Sequence, residues 1–179
     1  MLLQEFRLDG RVALVAGGGR GLGRTIALAL AEAGADIAVA ARTPHEIQET
    51  AEQVRALGRR AVALRTDVRV AREVQEMADR TVAELGRIDI LVNSAGLGLE
   101  KSFMEITEEE WRQVIDTNLL GTFLCCQAVG KHLLAQGQGK VINLTSGLAL
   151  RGIEKGAAYC ASKGGVLQLT RALSLEWAP

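Results

Sequence analysis

The stretch AYCASKGG (157–164) sets Tyr159 one helical turn before Lys163. Side chains at that spacing share a helix face, so both can point into one cleft. A free phenol ionises near pH ~10, too high for proton transfer at neutrality. A neighbouring ammonium stabilises the phenolate, and a shift of roughly three units, about 4 kcal/mol, brings it into working range. The pair then reads as a proton donor with its tuner, suited to finishing the reduction of a carbonyl. Alone, this spacing is common on helix surfaces. Ser146, at the end of an apolar run, adds a hydroxyl that could hydrogen-bond a substrate oxygen, and Asn118 interrupts a long helical pattern as a poor helix former. Asn118 could hold a water or open a backbone carbonyl, the alternative being a polar helix face.

These residues need elements to position them. RVALVAG (11–17), DIAVAAR (36–42), RAVALRTDV, IDILVNSAG and KVINLTS (140–146) are apolar runs of strand length. Amphipathic stretches with helix start and stop signals separate them, the first helix ending at Gly34 and the second running from Pro44 at its start to Gly58 past its end. Thr107 and Glu110 match a capping box opening the long helix 108–135. Strands joined by crossovers of this length pair in parallel, which predicts one doubly wound α/β domain over 1–179, a Rossmann fold of three α/β/α layers. In such sheets ligands bind at the carboxyl ends of the strands, where Ser146 lies.

Between the first strand and first helix stands AGGGRGLG (16–23). Gly17, Gly21 and Gly23 let the backbone turn sharply and approach a ligand closely, and the helix that follows aims free N–H groups at a pyrophosphate. A purely structural turn is the alternative. The second strand ends in Ala40, Ala41 and Arg42, with no carboxylate to bind a ribose hydroxyl and repel a 2′-phosphate. Arg42 and Arg20 together favour a 2′-phosphate, so NADP(H) is preferred over NAD(H), unless both are solvated surface charges.

Taken together, AGGGRGLG, NSAG (93–96), Asn118, Ser146 and YCASK (159–163), in that order, resemble the short-chain dehydrogenase/reductase family. The resemblance covers essentially the whole chain, and its flavour looks like that of 3-oxoacyl-carrier-protein reductases and gluconate 5-dehydrogenase-like members. It implies Tyr159 as general acid/base, Lys163 lowering its pKa and binding the nicotinamide ribose, Ser146 orienting the substrate carbonyl and Asn118 supporting a water-linked proton relay. It further implies that Gly17, Arg20, Gly21, Leu22 and Gly23 hold the cofactor phosphates. Asp67 and Val68 would contact the adenine, and Asn93, Ala95 and Gly96 would line the cofactor. Ala16, Ser94 and Thr145 depart from the family's usual residues without removing a catalytic group. The family typically runs longer, which implies a domain incomplete at its C-terminus, with KVINLT left as an apolar sheet edge. Dimers or tetramers through the long helix and the last helix are implied too, with Leu119, Leu120, Phe123 and Leu124 as apolar residues beyond those a sheet needs, core packing being the alternative account of them.

Lysine plus arginine (21) balances aspartate plus glutamate (21), so no basic footprint points to nucleic acid or an anionic membrane. The chain is 48% hydrophobic, yet no window approaches the ~20 apolar residues of a membrane span. MLLQEFRLDGR does not read as a secretory signal, so a cytoplasmic setting is expected. Cys125, Cys126 and Cys160 fit neither a disulfide framework nor a metal site and read as small hydrophobes. Two functions remain: an NADP(H)-dependent enzyme acting on a small carbonyl or secondary alcohol, or a non-catalytic dinucleotide-binding module. Loops 97–103 and 148–156 are the segments expected to shape the substrate pocket.

Overall fold

The structure, a computed structural model, describes residues 4–178; the opening Met-Leu-Leu and the final proline lie outside it. Five strands, β1 (Val12–Ala16), β2 (Asp36–Ala41), β3 (Ala61–Arg65), β4 (Ile90–Asn93) and β5 (Lys140–Asn143), form one sheet in the order β3-β2-β1-β4-β5. Every pairing is parallel. The chain moves outward from β1 to β3, then crosses back to place β4 on the other side of β1. Neighbouring loops therefore diverge at the carboxyl ends of β1 and β4 and open a crevice there.

Alternation along the strands decides which residue covers which face. Leu14, Ala38, Leu64 and Leu91 enter one core with α3 (Ala71–Leu85) and α5 (Gly121–Gln136), and Trp177 of α6 (Ala157–Trp177) packs against it. Val15, Ile37, Val39 and Val92 enter the other core, beneath α1 (Gly21–Glu32) and α2 (Pro44–Ala56). With both faces covered, the central strand β1 is buried at every position. β5 pairs only with β4 among the described residues and keeps Ile142 46% exposed.

The long helix differs from its expected form. It starts at the expected capping box: the Thr107 hydroxyl accepts from the Glu110 N–H, and the Glu110 carboxylate accepts from the Thr107 N–H. After α4 (Glu108–Ile115), however, the chain makes a π-helical turn, Asp116–Leu120, before α5 begins. Asn118 sits in that turn. Leu119 packs towards Gly165 of α6 and Leu124 packs against the core, so Leu120 and Phe123 remain exposed. Cys125 and Cys126 are buried, and burial pushes their thiols up to about 12 and about 11. Both behave as the small hydrophobes the sequence implied.

Candidate active site

Strand ends set the floor of the site. Backbone hydrogen bonds carry the ladders one step beyond the strands: Gly17 N–H to the Ala40 carbonyl (2.7 Å), Ser94 N–H to Ala16 (2.8 Å) and Leu144 N–H to Asn93 (3.0 Å). The loops leaving β1, β2, β3, β4 and β5 consequently converge on one cleft of about 470 Å³. Gly17, Arg20, Gly21, Leu22, Gly23, Arg42, Asp67, Val68, Ala95, Gly96, Tyr159 and Lys163 all line it.

The glycine loop fits a dinucleotide for reasons of space. Gly17 has φ of +87°, and a Cβ there would run into the Ala95 backbone nitrogen. A Cβ on Gly23 would collide with the Gly17 carbonyl. Only hydrogens allow this crossing of backbones, and the crossing brings the start of α1 against the cleft. No side chain caps that helix, so its first N–H groups are left for an anion such as a pyrophosphate.

At the far end of the cleft, Arg20 and Arg42 are exposed and stand in no ion pair among the described residues, while Ala41 offers no carboxylate. Glu46, from the first turn of α2, lines the same end and was not singled out from the sequence. Asp67 is gripped by Arg69 at 2.6 and 3.0 Å. That guanidinium, against the opposing effect of burial, holds the Asp67 carboxyl below the usual carboxylate range, with Arg42 adding at longer range.

At the near end Lys163 is 7% exposed, its Nζ donates to the Leu144 carbonyl at 2.7 Å, and it lies 5.8 Å from the centre of the Tyr159 ring. Burial holds Lys163 below the ordinary lysine value. The expected pair thus shares one wall of the cleft. Ser146 is not among the lining residues; its Oγ accepts from the Leu148 N–H at 3.1 Å and caps a short 3₁₀ turn. Its hydroxyl hydrogen remains available to a substrate oxygen.

Asn118 is wholly buried and its amide is fully used. Oδ1 accepts from the Leu97 N–H, and Nδ2 donates to the Leu97 carbonyl and to Ser162 Oγ, each at 2.9 Å. The Asn118 backbone carbonyl accepts from Thr122 Oγ1 at 2.7 Å. Asn93 turns away from the cleft: Nδ2 donates to Asn143 Oδ1 at 2.8 Å, across the β4–β5 register, and approaches Cys126 Sγ at 3.4 Å. Asn93 is not among the residues that line the cleft. The two loops expected to shape the substrate pocket touch, Lys101 N–H donating to the Lys155 carbonyl at 3.0 Å, and Lys101 is tied to Glu110 at 2.8 Å.

The family model described as short chain dehydrogenase matches residues 11–179. The chain is 45% identical over 179 residues to the 2-dehydro-3-deoxy-D-gluconate 5-dehydrogenase of Escherichia coli (strain K12), covering 99% of this chain and 70% of that protein. It is 41% identical over 167 residues to a 3-oxoacyl-(acyl-carrier-protein) reductase of Staphylococcus epidermidis (strain RP62A), covering 93% and 68%. The crystal structure of carveol dehydrogenase from Mycobacterium avium in complex with NAD superposes with a TM-score of 0.93 at 34% identity, covering 97% of this chain and 68% of that one. A glycine cradle, a parallel sheet divided at β1 and β4, and a Tyr–Lys pair on one cleft wall are thus joined to extended sequence identity, and the chain belongs to the short chain dehydrogenase family, oxidoreductases that interconvert alcohol and carbonyl groups.

Proposed function

We propose that the chain serves an NADP(H)-dependent interconversion of a small carbonyl compound and the corresponding secondary alcohol, with Tyr159 as the acid–base group. The observation that carries this reading is that Tyr159 and Lys163 line the same cleft as the glycine loop. A bound nicotinamide supplies or accepts the hydride; the chain's own residues handle position and protons. In the reducing direction the Tyr159 hydroxyl gives its proton to the substrate oxygen, and in the oxidising direction the phenolate removes it. Lys163, poorly solvated and within reach of the ring, stabilises that phenolate and is placed to hold the nicotinamide ribose. Ser146 donates its free hydroxyl hydrogen to the same substrate oxygen, keeping the reacting atom beside Tyr159. Asp67, Val68, Ala95 and Gly96 hold the adenosine half and the cleft floor.

NADP(H) is preferred because two unpaired guanidiniums and no β2 carboxylate border the end where a 2′-phosphate would lie, although Glu46 tempers that field. Fluorescence titration of the purified chain with NADPH and NADH tests this: tighter NADPH binding is expected, and Arg42→Ala should weaken NADPH by roughly ten- to a hundredfold, the scale of one charge-assisted bond, while sparing NADH. Tighter NADH binding by the unaltered chain would overturn the preference. Tyr159→Phe separates an enzyme from a binding module. Loss of turnover with NADPH affinity retained supports the enzyme reading, and turnover that survives the substitution sinks the proton-transfer role.

A further inference from the structure

Ser162 was not singled out from the sequence, yet it stands where the site's separate parts meet. It is 0% exposed. Its hydroxyl accepts from Asn118 Nδ2 at 2.9 Å and donates to the Tyr159 carbonyl at 2.8 Å. Through Asn118 it reaches Leu97, whose N–H and carbonyl are both held by that amide. Gly96, the preceding residue, is wedged between the two: a Cβ on it would lie 3.3 Å from Asn118 Oδ1 and 3.7 Å from Lys163 Nζ. One hydroxyl therefore links the π-helical turn, the cleft floor and the first turn of α6.

We propose that Ser162 is a positioning residue that locks the Tyr159–Lys163 turn to the Gly96–Leu97 floor through Asn118, so that the acid–base pair and the cofactor bed move as one body. The inference rests on the reading of Tyr159 and Lys163 as an acid–base pair. The chemistry selects a small hydroxyl. The group must accept from an amide and donate to a carbonyl at once, in a place closed to water, and only an O–H of this size does both. Without it, one Asn118 N–H is left buried and unpaired, and the amide can satisfy it only by releasing its grip on Leu97. Thr145 Oγ1 makes a comparable bond to the same helix, donating to the Lys163 carbonyl at 3.0 Å, but has no bond to Asn118. It is the natural control for simple loosening of α6.

The chain has a single tyrosine, so the near-ultraviolet phenolate band reports Tyr159 alone. The test follows that band against pH, together with amide exchange at Leu97, in the full chain and in Ser162→Ala, Ser162→Cys, Thr145→Val and Lys163→Met. Ser162→Ala is expected to speed Leu97 exchange at least ~10-fold and to move the phenolate midpoint by ~0.5 unit or more. Ser162→Cys should fall between it and the unaltered chain, and it decides by the same criteria if the alanine variant does not fold. Thr145→Val should leave Leu97 exchange unchanged. Unchanged exchange and band in both Ser162 variants would overturn the lock, as would equal acceleration by Thr145→Val. A phenolate midpoint unmoved by Lys163→Met would instead count against the acid–base reading, while Leu97 exchange would still decide the coupling through Ser162.

Discussion

Lys163 Nζ has one protein acceptor, the Leu144 carbonyl, and the residue is 7% exposed. The proposed chemistry uses this ammonium, but folding penalises it, since burial lowers its pKa from the ordinary value. The sign follows from linkage. Above pH ~10.4 the amine is neutral in folded and unfolded chains alike and burial carries no ionic penalty. As pH falls through the depressed folded value, the unfolded chain binds the proton more readily and stability is lost. Lys163→Met keeps an unbranched apolar stem and removes the charge. It should melt a few degrees higher than the unaltered chain at pH 7, with the difference shrinking as pH approaches ~10. Thermal melts at both pH values check this, and a variant that melts lower at pH 7 would mean that the Leu144 bond outweighs desolvation.

At the level of elements, the glycine loop and the π-helical turn contrast in how openly the sequence announces them. Gly17 is fixed twice, by φ of +87° and by the Ala95 backbone against its missing side chain. Gly21 also has a positive φ, +53°, but nothing lies within 4 Å of where its Cβ would be. Gly21→Ala should therefore cost only the backbone term, about 1 kcal/mol. Gly17→Ala should displace the loop, lower NADPH affinity by at least ~10-fold and destabilise by several times more than Gly21→Ala, since strain and collision add. Urea titrations of the two variants measure the difference, and equal losses would refute the steric argument. This loop, the capping box and the strand–helix alternation were legible because each is written in adjacent residues. The π-helical turn was not. The sequence marks Asn118 only as a poor helix former, whereas the wider turn goes with distant packing: Leu119 against Gly165, and Gly121 against Val68. Ser162 was hidden for the same reason, since nothing local tells a buried helical serine from a surface one. Asn93 carries the opposite lesson. The resemblance implies a place beside the cofactor for its motif, whereas the register of β4 on β5 sets it opposite Asn143, to which its amide donates.

Across the whole molecule, the two ends of the sheet are specialised. The carboxyl ends of the strands form the cleft, while at the amino ends buried aspartates are bridged by arginines from different segments. Asp36, at the start of β2, meets Arg60 at 2.8 Å and Arg59 at 3.1 Å; Asp89, before β4, meets Arg11 at 2.9 Å and Arg87 at 2.7 Å and accepts from the Val12 N–H. Burial alone would raise the Asp36 pKa, but the Arg60 backbone N–H, its guanidinium and the charge of Arg59 together hold it below the ordinary value. Here the folded pKa lies under the unfolded ~3.9, so the contribution is fully present above that value and is lost as pH falls through the folded one. Asp36→Asn forfeits the ion pairs at every pH. It should be clearly less stable than the unaltered chain at pH 7, and the two urea midpoints should converge as the pH is lowered from 5 towards 3. A gap that stays constant over that range would show that the carboxylate's charge is not what ties β2 to Arg59 and Arg60. Because this anchor lies at the opposite end of the sheet from the glycine loop, NADPH affinity at pH 7 should be unchanged in Asp36→Asn wherever the variant is folded. A drop in affinity that tracks the loss of stability would instead mean that the two ends of the sheet are coupled through β1 and β2.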